Sequence, residues 1–409
     1  MQLDLSLNDG RSAHLRLSDA ALTASFGAEL VYTLDHGGRL AGAFREGRNL
    51  RRGLDGRVLA RWRQDRGGPR QRSWLEPAAA ATLLAALRHD LDALAKVPLP
   101  PAMAAVVQRG LVFDDTADVA EYHRIYRPVA ILPPDQYQAL VLQATEGCSF
   151  NTCTFCALYR EQRFRIKDPV EFALHIEDVR DFFGEGISFR RSIFLADANA
   201  LIVPQERLLP LFSTIATAFA LMPEGLPPAK QRDWLQAHPD GVSGIYAFID
   251  GLGAERKSVD DFHALRLRGL HRVYIGLESG HEPLLAWLRK PSTAAAMLDA
   301  VQRLKEAGLH VGVIVLTGIG GQRFHEGHCR DSAAVLNAMP LGPGDIIYFS
   351  PFESDPDAPY EALAAAEGIE SSTPEFARIQ EMAIRDGLTL PPPFAGPKRV
   401  PYNLRDFVY

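Results

Sequence analysis

The thiols of this chain are concentrated in one short segment. Three of its four cysteines, Cys148, Cys153 and Cys156, fall within nine consecutive positions. Clustered thiolates are soft ligands, and this pattern favours a metal or cluster site over a disulfide framework. Three thiolates could bind three irons of a four-iron cluster and leave the last iron without a protein ligand. Such an open iron could bind a substrate or a cofactor.

A zinc knuckle is the structural alternative for the same cysteines. It would need three thiolates and one remote histidine to complete a tetrahedron. Zinc knuckles usually present their ligands in two pairs, and no second Cys/His pair at ligand spacing follows Cys156. His175 falls on a predicted amphipathic helix, where we interpret it as a partly buried helix residue. The sequence therefore favours a cluster over zinc.

The elements that must position these thiols begin near residue 136. From there, apolar runs alternate with helical stretches, a pattern typical of repeated βα units around a parallel sheet. About six units, rather than eight, predict an α/β fold with a partial TIM-like βα barrel, whose functional groups lie at the carboxyl ends of the strands. The runs predicted as strands are 139–144, 192–196, 244–249, 272–276, 311–316 and 345–349.

Start and stop signals predict helices between these strands. Asp168-Pro169-x-Glu171 combines an N-cap, a proline at the first helical position and a capping-box glutamate. Gly184 is expected to end that helix. Ser292 is predicted to cap a later helix.

The N-terminal part is predicted to be a small β-rich module. Turn signals at Asn8-Asp9-Gly10 and at 36–38 indicate hairpins, and a helix is expected over 76–95. The prolines at 98–101, with the segment up to 133–134, predict a linker. The predicted organisation is an α+β accessory module over 1–133, a partial barrel over 134–355 and a helical or irregular extension over 356–409.

Length and charge define the class of protein. With 409 residues, 47% of them hydrophobic, the chain can form a barrel-sized domain and an accessory module. A net charge of -6 does not indicate global attraction to nucleic acid. No basic leader precedes an apolar stretch, and no run approaches the ~18 apolar residues of a membrane helix. A cytoplasmic location is therefore expected.

The loop from Glu146 to Cys156 follows directly on the first predicted strand and carries an aromatic residue, Phe155, before the third cysteine. In these residues the chain resembles the radical S-adenosylmethionine (SAM) superfamily, in the subgroup that includes the oxygen-independent coproporphyrinogen oxidase and the methylthiotransferases. The resemblance spans about 136–355. Four residues separate the first two cysteines here, whereas the commonest family spacing has three.

The resemblance implies an iron–sulfur enzyme of the oxidoreductase or lyase type. A [4Fe–4S] cluster would be held by Cys148, Cys153 and Cys156, and the amino and carboxylate groups of SAM would chelate the unique iron. An electron from an external donor, such as flavodoxin or ferredoxin, would break a sulfur–carbon bond. The products would be methionine and a 5'-deoxyadenosyl radical that abstracts hydrogen from substrate. The protein's part is to position groups and exclude competing reactions.

The resemblance also implies cofactor contacts at other strand ends. Asp197 and Asn199, in Leu195-Ala-Asp-Ala-Asn199, match the position that accepts hydrogen bonds from the SAM ammonium. The alternative is that they only shape a turn or cap a helix. Glu278 and Ser279, in Gly276-Leu-Glu-Ser-Gly280, resemble a family motif that contacts the ribose or carboxylate.

A glycine-rich segment, Thr317-Gly-Ile-Gly-Gly321, ends the fifth predicted strand. The resemblance implies that Gly318 and Gly320 let the backbone approach adenine closely, since glycine lacks a side chain. Phe155 completes the implied cofactor contacts.

Missing residues narrow the reaction. Only Cys329 remains outside the trio, so auxiliary clusters are not expected. It lies with His325 and His328 in a group that could be a metal site or a hydrogen-atom donor, although a helix is predicted to begin there. No Asp-x-His-x-x-Gly signature is present, which disfavours cobalamin-dependent methyl transfer.

Three functions stay open. The first is a radical SAM enzyme that acts on a small molecule. The second modifies RNA, with Arg51, Arg52, Arg61 and Arg63 contacting phosphates; the plainer interpretation of this arginine-rich segment, 45–72, is a solvated or interdomain face. The third is a zinc-stabilised interaction module that is not an enzyme.

Overall fold

The N-terminal part is an antiparallel meander. The structure, a computed structural model, describes residues 1–65, 68 and 70–409, so positions 66, 67 and 69 of the arginine-rich segment lie outside the described residues. Gly10 and Gly38 turn between strands at φ 86° and 91°, a conformation that glycine adopts without steric cost. Both predicted hairpins are confirmed. Each strand pairs with the next, in the order β1 (Gln2–Ser6), β2 (Ser12–Leu17), β3 (Ala21–Ser25), β4 (Leu30–Asp35), β5 (Leu40–Arg45), β6 (Arg48–Arg52), β7 (Val58–Arg63) and β8 (Arg70–Trp74).

Three helices follow the meander: α1 (Pro77–Ala95), α2 (Pro101–Leu111) and α3 (Asp115–Ile125). The helix predicted over 76–95 is confirmed, but the linker predicted from residue 98 onward is wrong across α2 and α3. Pro101 begins α2 because the first helical position needs no N–H donor. Asp114 caps α3 by accepting hydrogen bonds from the Thr116 and Ala117 amides, each at 3.0 Å.

A parallel sheet forms the centre of the molecule. All six predicted strands belong to it, and β17 adds a seventh that pairs with β16. β17 reads Lys-Arg-Val-Pro, which has no apolar pattern and suits an edge strand. The predicted helical or irregular extension therefore also contributes a strand. In sheet order the strands are β9 (Leu140–Gln143), β12 (Ile193–Ala196), β13 (Ile245–Phe248), β14 (Leu270–Glu278), β15 (His310–Thr317), β16 (Ile346–Pro351) and β17 (Lys398–Pro401).

Two further strands, β10 (Thr145–Glu146) and β11 (Arg165–Ile166), form a small separate ladder. The remaining helices are α4 (Pro169–Phe183), α5 (Gln205–Ala218), α6 (Pro228–Ala237), α7 (Gly251–Glu255), α8 (Val259–Arg266), α9 (Glu282–Trp287), α10 (Ala294–Glu306), α11 (Gly321–Ala338), α12 (Tyr360–Ala366) and α13 (Pro374–Asp386).

Helix starts agree with the sequence in one case and differ in another. Asp168 and Glu171 form the predicted capping box of α4, and Gly184 ends that helix. In α10 the cap is Thr293, which accepts a hydrogen bond from the Ala296 amide at 3.1 Å, so the prediction of Ser292 is wrong by one residue.

The meander and the parallel sheet have separate hydrophobic cores. Leu15, Leu22 and Tyr32 pack with α1 and α2, whereas Phe194 and Tyr274 belong to the core of the parallel sheet. β9, β12 and β13 are buried throughout, as expected for parallel strands covered on both faces. Across the described residues, every helix is too short or too polar to cross a membrane. The three-part division of the chain stays a prediction.

Candidate functional site

Two short strands close the base of the cysteine loop. Thr145 of β10 pairs with Ile166 of β11, and Glu146 pairs with Arg165. The Arg165 side chain also forms an ion pair with Glu146 at 3.0 Å. The segment 147–164 therefore begins and ends at one point, directly after β9, at the carboxyl edge of the parallel sheet.

The three thiols on this loop are partly exposed. Burial raises the pKa of Cys153 to about 12; Lys290 opposes this rise, while Cys156, Glu278 and Cys148 add to it. Burial also raises the pKa of Cys156, and Cys148 adds to that rise. The thiols thus lie within electrostatic range of one another. As placed in the described part of the chain, no three His, Cys, Asp or Glu side chains have the arrangement of a metal site.

Hydrogen bonds hold the cysteine loop against its surroundings. The Thr154 amide donates to the Leu288 carbonyl at 2.9 Å, which ties the loop to the end of α9. Arg160 donates to the carbonyl oxygens of Cys153 and Cys156, each at 3.0 Å. Phe155 is half-buried and packs against a small apolar cluster from α9, α11, α12 and the strand ends between them. The loop is therefore anchored through its backbone on both sides.

Asp197 and Asn199 connect the end of β12 to the same loop. Asp197 accepts a hydrogen bond from the Gly147 amide at 3.1 Å. Burial raises the pKa of Asp197 to about 7, although that hydrogen bond opposes the rise. Asn199 donates to Ser149 Oγ and accepts from the Asp250 amide, both at 3.2 Å. Asn199 makes no capping hydrogen bond to the short turn that follows it.

A buried ion pair lies beside Cys153. Lys290 Nζ is 2.9 Å from Glu278 Oε1, and the two side chains are 11% and 10% exposed. Burial lowers the pKa of Lys290, but attraction to Glu278 and Cys153 outweighs this effect and leaves the pKa above its ordinary value. Sequence reasoning missed Lys290, because an isolated lysine twelve positions after Glu278 forms no pattern. Only the fold brings it to the thiols.

Ser279 is engaged inside the protein. Its Oγ lies 2.8 Å from His328 Nδ1, and His328 Nε2 lies 3.0 Å from the Leu316 carbonyl. Because a carbonyl only accepts, Nε2 carries the proton and Nδ1 accepts from Ser279. Burial lowers the pKa of His328 to about 4, which keeps the ring neutral. This network ties the end of β14 to β15 and α11.

The glycine segment after β15 packs against the C-terminal helices. Gly318 and Gly320 both have φ of 79°. The Gly318 amide donates to Gln380 Oε1 at 2.6 Å, and the Gly320 amide donates to the Tyr360 hydroxyl at 2.8 Å. A Cβ on Gly318 would lie 2.8 Å from Ala377 Cβ. The close approach seen here is to α12 and α13, and contact with adenine stays a prediction.

The other histidine and cysteine candidates have different surroundings. Cys329 Sγ lies 3.8 Å from His325 Nδ1, and burial raises the pKa of Cys329 to about 11. His328 makes its hydrogen bonds elsewhere, to Ser279. His175 is buried on α4 and accepts a hydrogen bond from the Gln143 amide at 3.0 Å, as expected of a helix residue facing the sheet.

The arginine-rich segment is divided between buried and exposed side chains. The Arg52 side chain is 1% exposed and pairs with Asp115 at 3.1 Å. Arg51 donates to the Tyr137 carbonyl. Arg63 is exposed. Two of the four arginines suggested for RNA contact are therefore engaged within the protein.

Comparison with curated proteins gives one partial match. No family model matches the chain. A relative, the 4'-phospho-dehydrooxetanocin synthase of Priestia megaterium, is 23% identical over 190 residues. The match covers 43% of this chain and 23% of that protein, so the chain spans about a quarter of the relative's length.

Solved structures with similar folds include three whose descriptions name radical SAM chemistry. The Escherichia coli coproporphyrinogen III oxidase HemN, a radical SAM enzyme, is 12% identical, with a TM-score of 0.41 over 67% of this chain and 54% of that chain. The radical SAM methyltransferase TsrM of Kitasatospora setae is 14% identical, with a TM-score of 0.41 over 61% and 45%. The cobalamin-dependent SAM radical enzyme OxsB is 13% identical, with a TM-score of 0.37 over 81% and 42%. The resemblance expected from the sequence thus recurs among solved structures, but at these TM-scores a functional assignment depends on the site itself.

Proposed function

We propose that this protein is a radical SAM enzyme in which Cys148, Cys153 and Cys156 hold a [4Fe–4S] cluster. The observation that carries the proposal is the position of three thiols on one anchored loop, at the carboxyl edge of a parallel sheet and beside the Glu278–Lys290 pair. Soft thiolates suit iron–sulfur binding. When bound, the cluster and SAM supply a one-electron cleavage that yields a 5'-deoxyadenosyl radical for hydrogen abstraction from substrate.

The chain's own residues position this chemistry. Lys290 places a positive charge next to Cys153, which favours the thiolate form of a ligand whose pKa burial raises. Asp197 and Asn199 fix the first half of the loop through Gly147 and Ser149. Their remaining oxygen lone pairs are the proposed acceptors for the SAM ammonium.

The other implied contacts have a supporting role in this proposal. Ser279, Gly318 and Gly320 use their polar groups in internal hydrogen bonds, so we assign them to shaping the ends of β14 and β15. Glu278 lies at the end of β14 beside Lys290, and Phe155 lies on the loop itself. Both remain proposed neighbours of SAM.

The finer features of the prediction belong to the same proposal. The open parallel sheet corresponds to a partial TIM-like barrel, the substrate is a small molecule and the location is cytoplasmic. RNA is less favoured as a substrate because Arg51 and Arg52 make contacts within the protein.

Product formation tests the proposal. After anaerobic loading with iron and sulfide and reduction with dithionite, the native protein should convert SAM to methionine and 5'-deoxyadenosine. Cys153→Ala should abolish 5'-deoxyadenosine, and Cys329→Ala, which removes a buried thiol on α11, should retain it. Loading with zinc but not iron would instead select the interaction module, and a native protein that forms no 5'-deoxyadenosine would refute the enzyme.

A further inference from the structure

The outer side of the cysteine loop borders an open cavity. Its volume is about 1150 Å³, and its walls come from residues 157–165 of the loop, from Arg127 and Pro128 ahead of β9, and from Asp357 after β16. The strands that precede these walls lie at or next to opposite edges of the parallel sheet. The cavity therefore opens beside the thiols at the gap between the two sheet edges.

Three arginines give this cavity its charge. Arg127, Arg160 and Arg163 are exposed and line it, and within the described residues none of them forms an ion pair with a carboxylate. We call them the arginine face. Two acidic residues, Glu161 and Asp357, also line the cavity. A locally cationic surface is unexpected on a chain whose net charge is -6, so its charges can steer an anionic partner.

The arginine face is also close to the thiols. Arg160 donates to the carbonyl oxygens of Cys153 and Cys156 at 3.0 Å, so its guanidinium contacts the backbone of two proposed ligands. Leu158, next to it, is 36% exposed. An exposed apolar residue within a charged rim is typical of protein–protein contact surfaces.

We propose that the arginine face docks an acidic one-electron carrier protein, which delivers its electron through the outer side of the cysteine loop. The inference rests on the proposed function, since the cleavage consumes one electron. In the transfer, the flavin hydroquinone anion of a flavodoxin loses one electron and becomes the neutral semiquinone, and the cluster held by the thiolates is reduced by that electron. No proton crosses the interface.

Binding to the unloaded protein is the first test. A reduced, acidic flavodoxin is titrated against the native protein, Arg163→Glu, Glu161→Gln and the distant control Arg48→Glu, which lies on β6. Because Arg163 has no internal partner, its reversal should weaken binding by roughly tenfold at low salt, and Glu161→Gln should strengthen it. Arg48→Glu should match the native protein. Rising salt should reduce these differences, since exposed charges are screened.

Reduction of the loaded protein is the second test. Stopped-flow bleaching of the cluster by reduced flavodoxin should follow the same order as binding, whereas the yield of 5'-deoxyadenosine with excess dithionite should be unchanged in Arg163→Glu. Equal flavodoxin affinity in Arg163→Glu and the native protein, or equal loss in Arg48→Glu, would overturn the docking site. So would competition by inorganic phosphate without any effect of Arg163→Glu, because that result indicates a small-anion site. Failure of the dithionite reaction alone refutes the enzyme and leaves the binding result readable.

Discussion

At the scale of single residues, the Glu278–Lys290 pair has the most demanding environment near the thiols. Both side chains are about nine-tenths buried, and their charged atoms lie 2.9 Å apart. Removing charges from water is costly, and each partner offsets that cost only while the other is present. The pair should therefore matter to stability as well as to the thiols.

Lys290→Met is expected to lower the free energy of unfolding by about 3 kcal/mol, because it leaves Glu278 buried without a partner. Lys290→Met combined with Glu278→Gln should recover most of the loss, since no uncompensated charge then remains. Urea unfolding of the unloaded proteins measures both values. Additive losses in the double variant would contradict the coupling.

Some residues of the site are readable from the sequence and others are not. The cysteines and the segments after β12, β14 and β15 are found by local spacing. Lys290 and His328 act on Cys153 and Ser279, which are far away along the chain. No local pattern encodes such contacts, so they emerge only when the strands are assembled.

At the scale of elements, α11 holds the ends of β14 and β15 through a neutral histidine. His328 is fully buried between Ser279 and the Leu316 carbonyl. Protonation would place a second proton on Nδ1, where Ser279 now donates, and would charge a ring without contact to water. The link between these elements therefore depends on pH.

Stability should fall with decreasing pH because of His328. Above pH 6.5 the ring is neutral in both the folded and the unfolded chain. Between pH 6.5 and about 4 only the unfolded chain gains a proton, so the folded state loses about 3 kcal/mol across this range. The urea midpoint measured against pH should show a smaller decline in His328→Gln than in the native protein.

His89→Gln is the matched control for this prediction, because His89 is exposed on α1. It should decline like the native protein. Identical slopes for His328→Gln and the native protein would show that the ring is not held neutral.

The start of α4 supports the far end of the cysteine loop. Asp168 accepts hydrogen bonds from the Val170 and Glu171 amides, each at 2.8 Å. Asp168→Ala should cost about 1 kcal/mol of folding free energy. Asp181→Ala, on the exposed face of the same helix, should change it by less than about 0.5 kcal/mol. Thermal unfolding compares the two, and equal effects would argue against the cap.

Sequence reasoning predicts these elements unevenly, for physical reasons. Six strands are recognisable because buried parallel strands are continuous apolar runs. β17 has two charged residues and a proline among its four residues, so its pairing depends on the neighbouring strand rather than on its own pattern. The segment 98–133 has prolines that signal a break, yet Pro101 begins a helix.

At the scale of the whole molecule, the final residues connect its two sheets. The Leu54 amide, after β6, donates to the Tyr409 carbonyl at 2.7 Å. The Val141 amide of β9 donates to the Tyr409 hydroxyl at 2.9 Å. β9 leads directly to the cysteine loop, so the meander, the tail and the proposed cluster site are joined through a short path.

The most direct test of this arrangement is the electron paramagnetic resonance spectrum of the iron-loaded, reduced protein before and after addition of SAM. We predict about four irons per chain and a spectrum that changes with SAM, because three thiolates leave one iron open to the cofactor. A cluster spectrum that is insensitive to SAM would contradict the account.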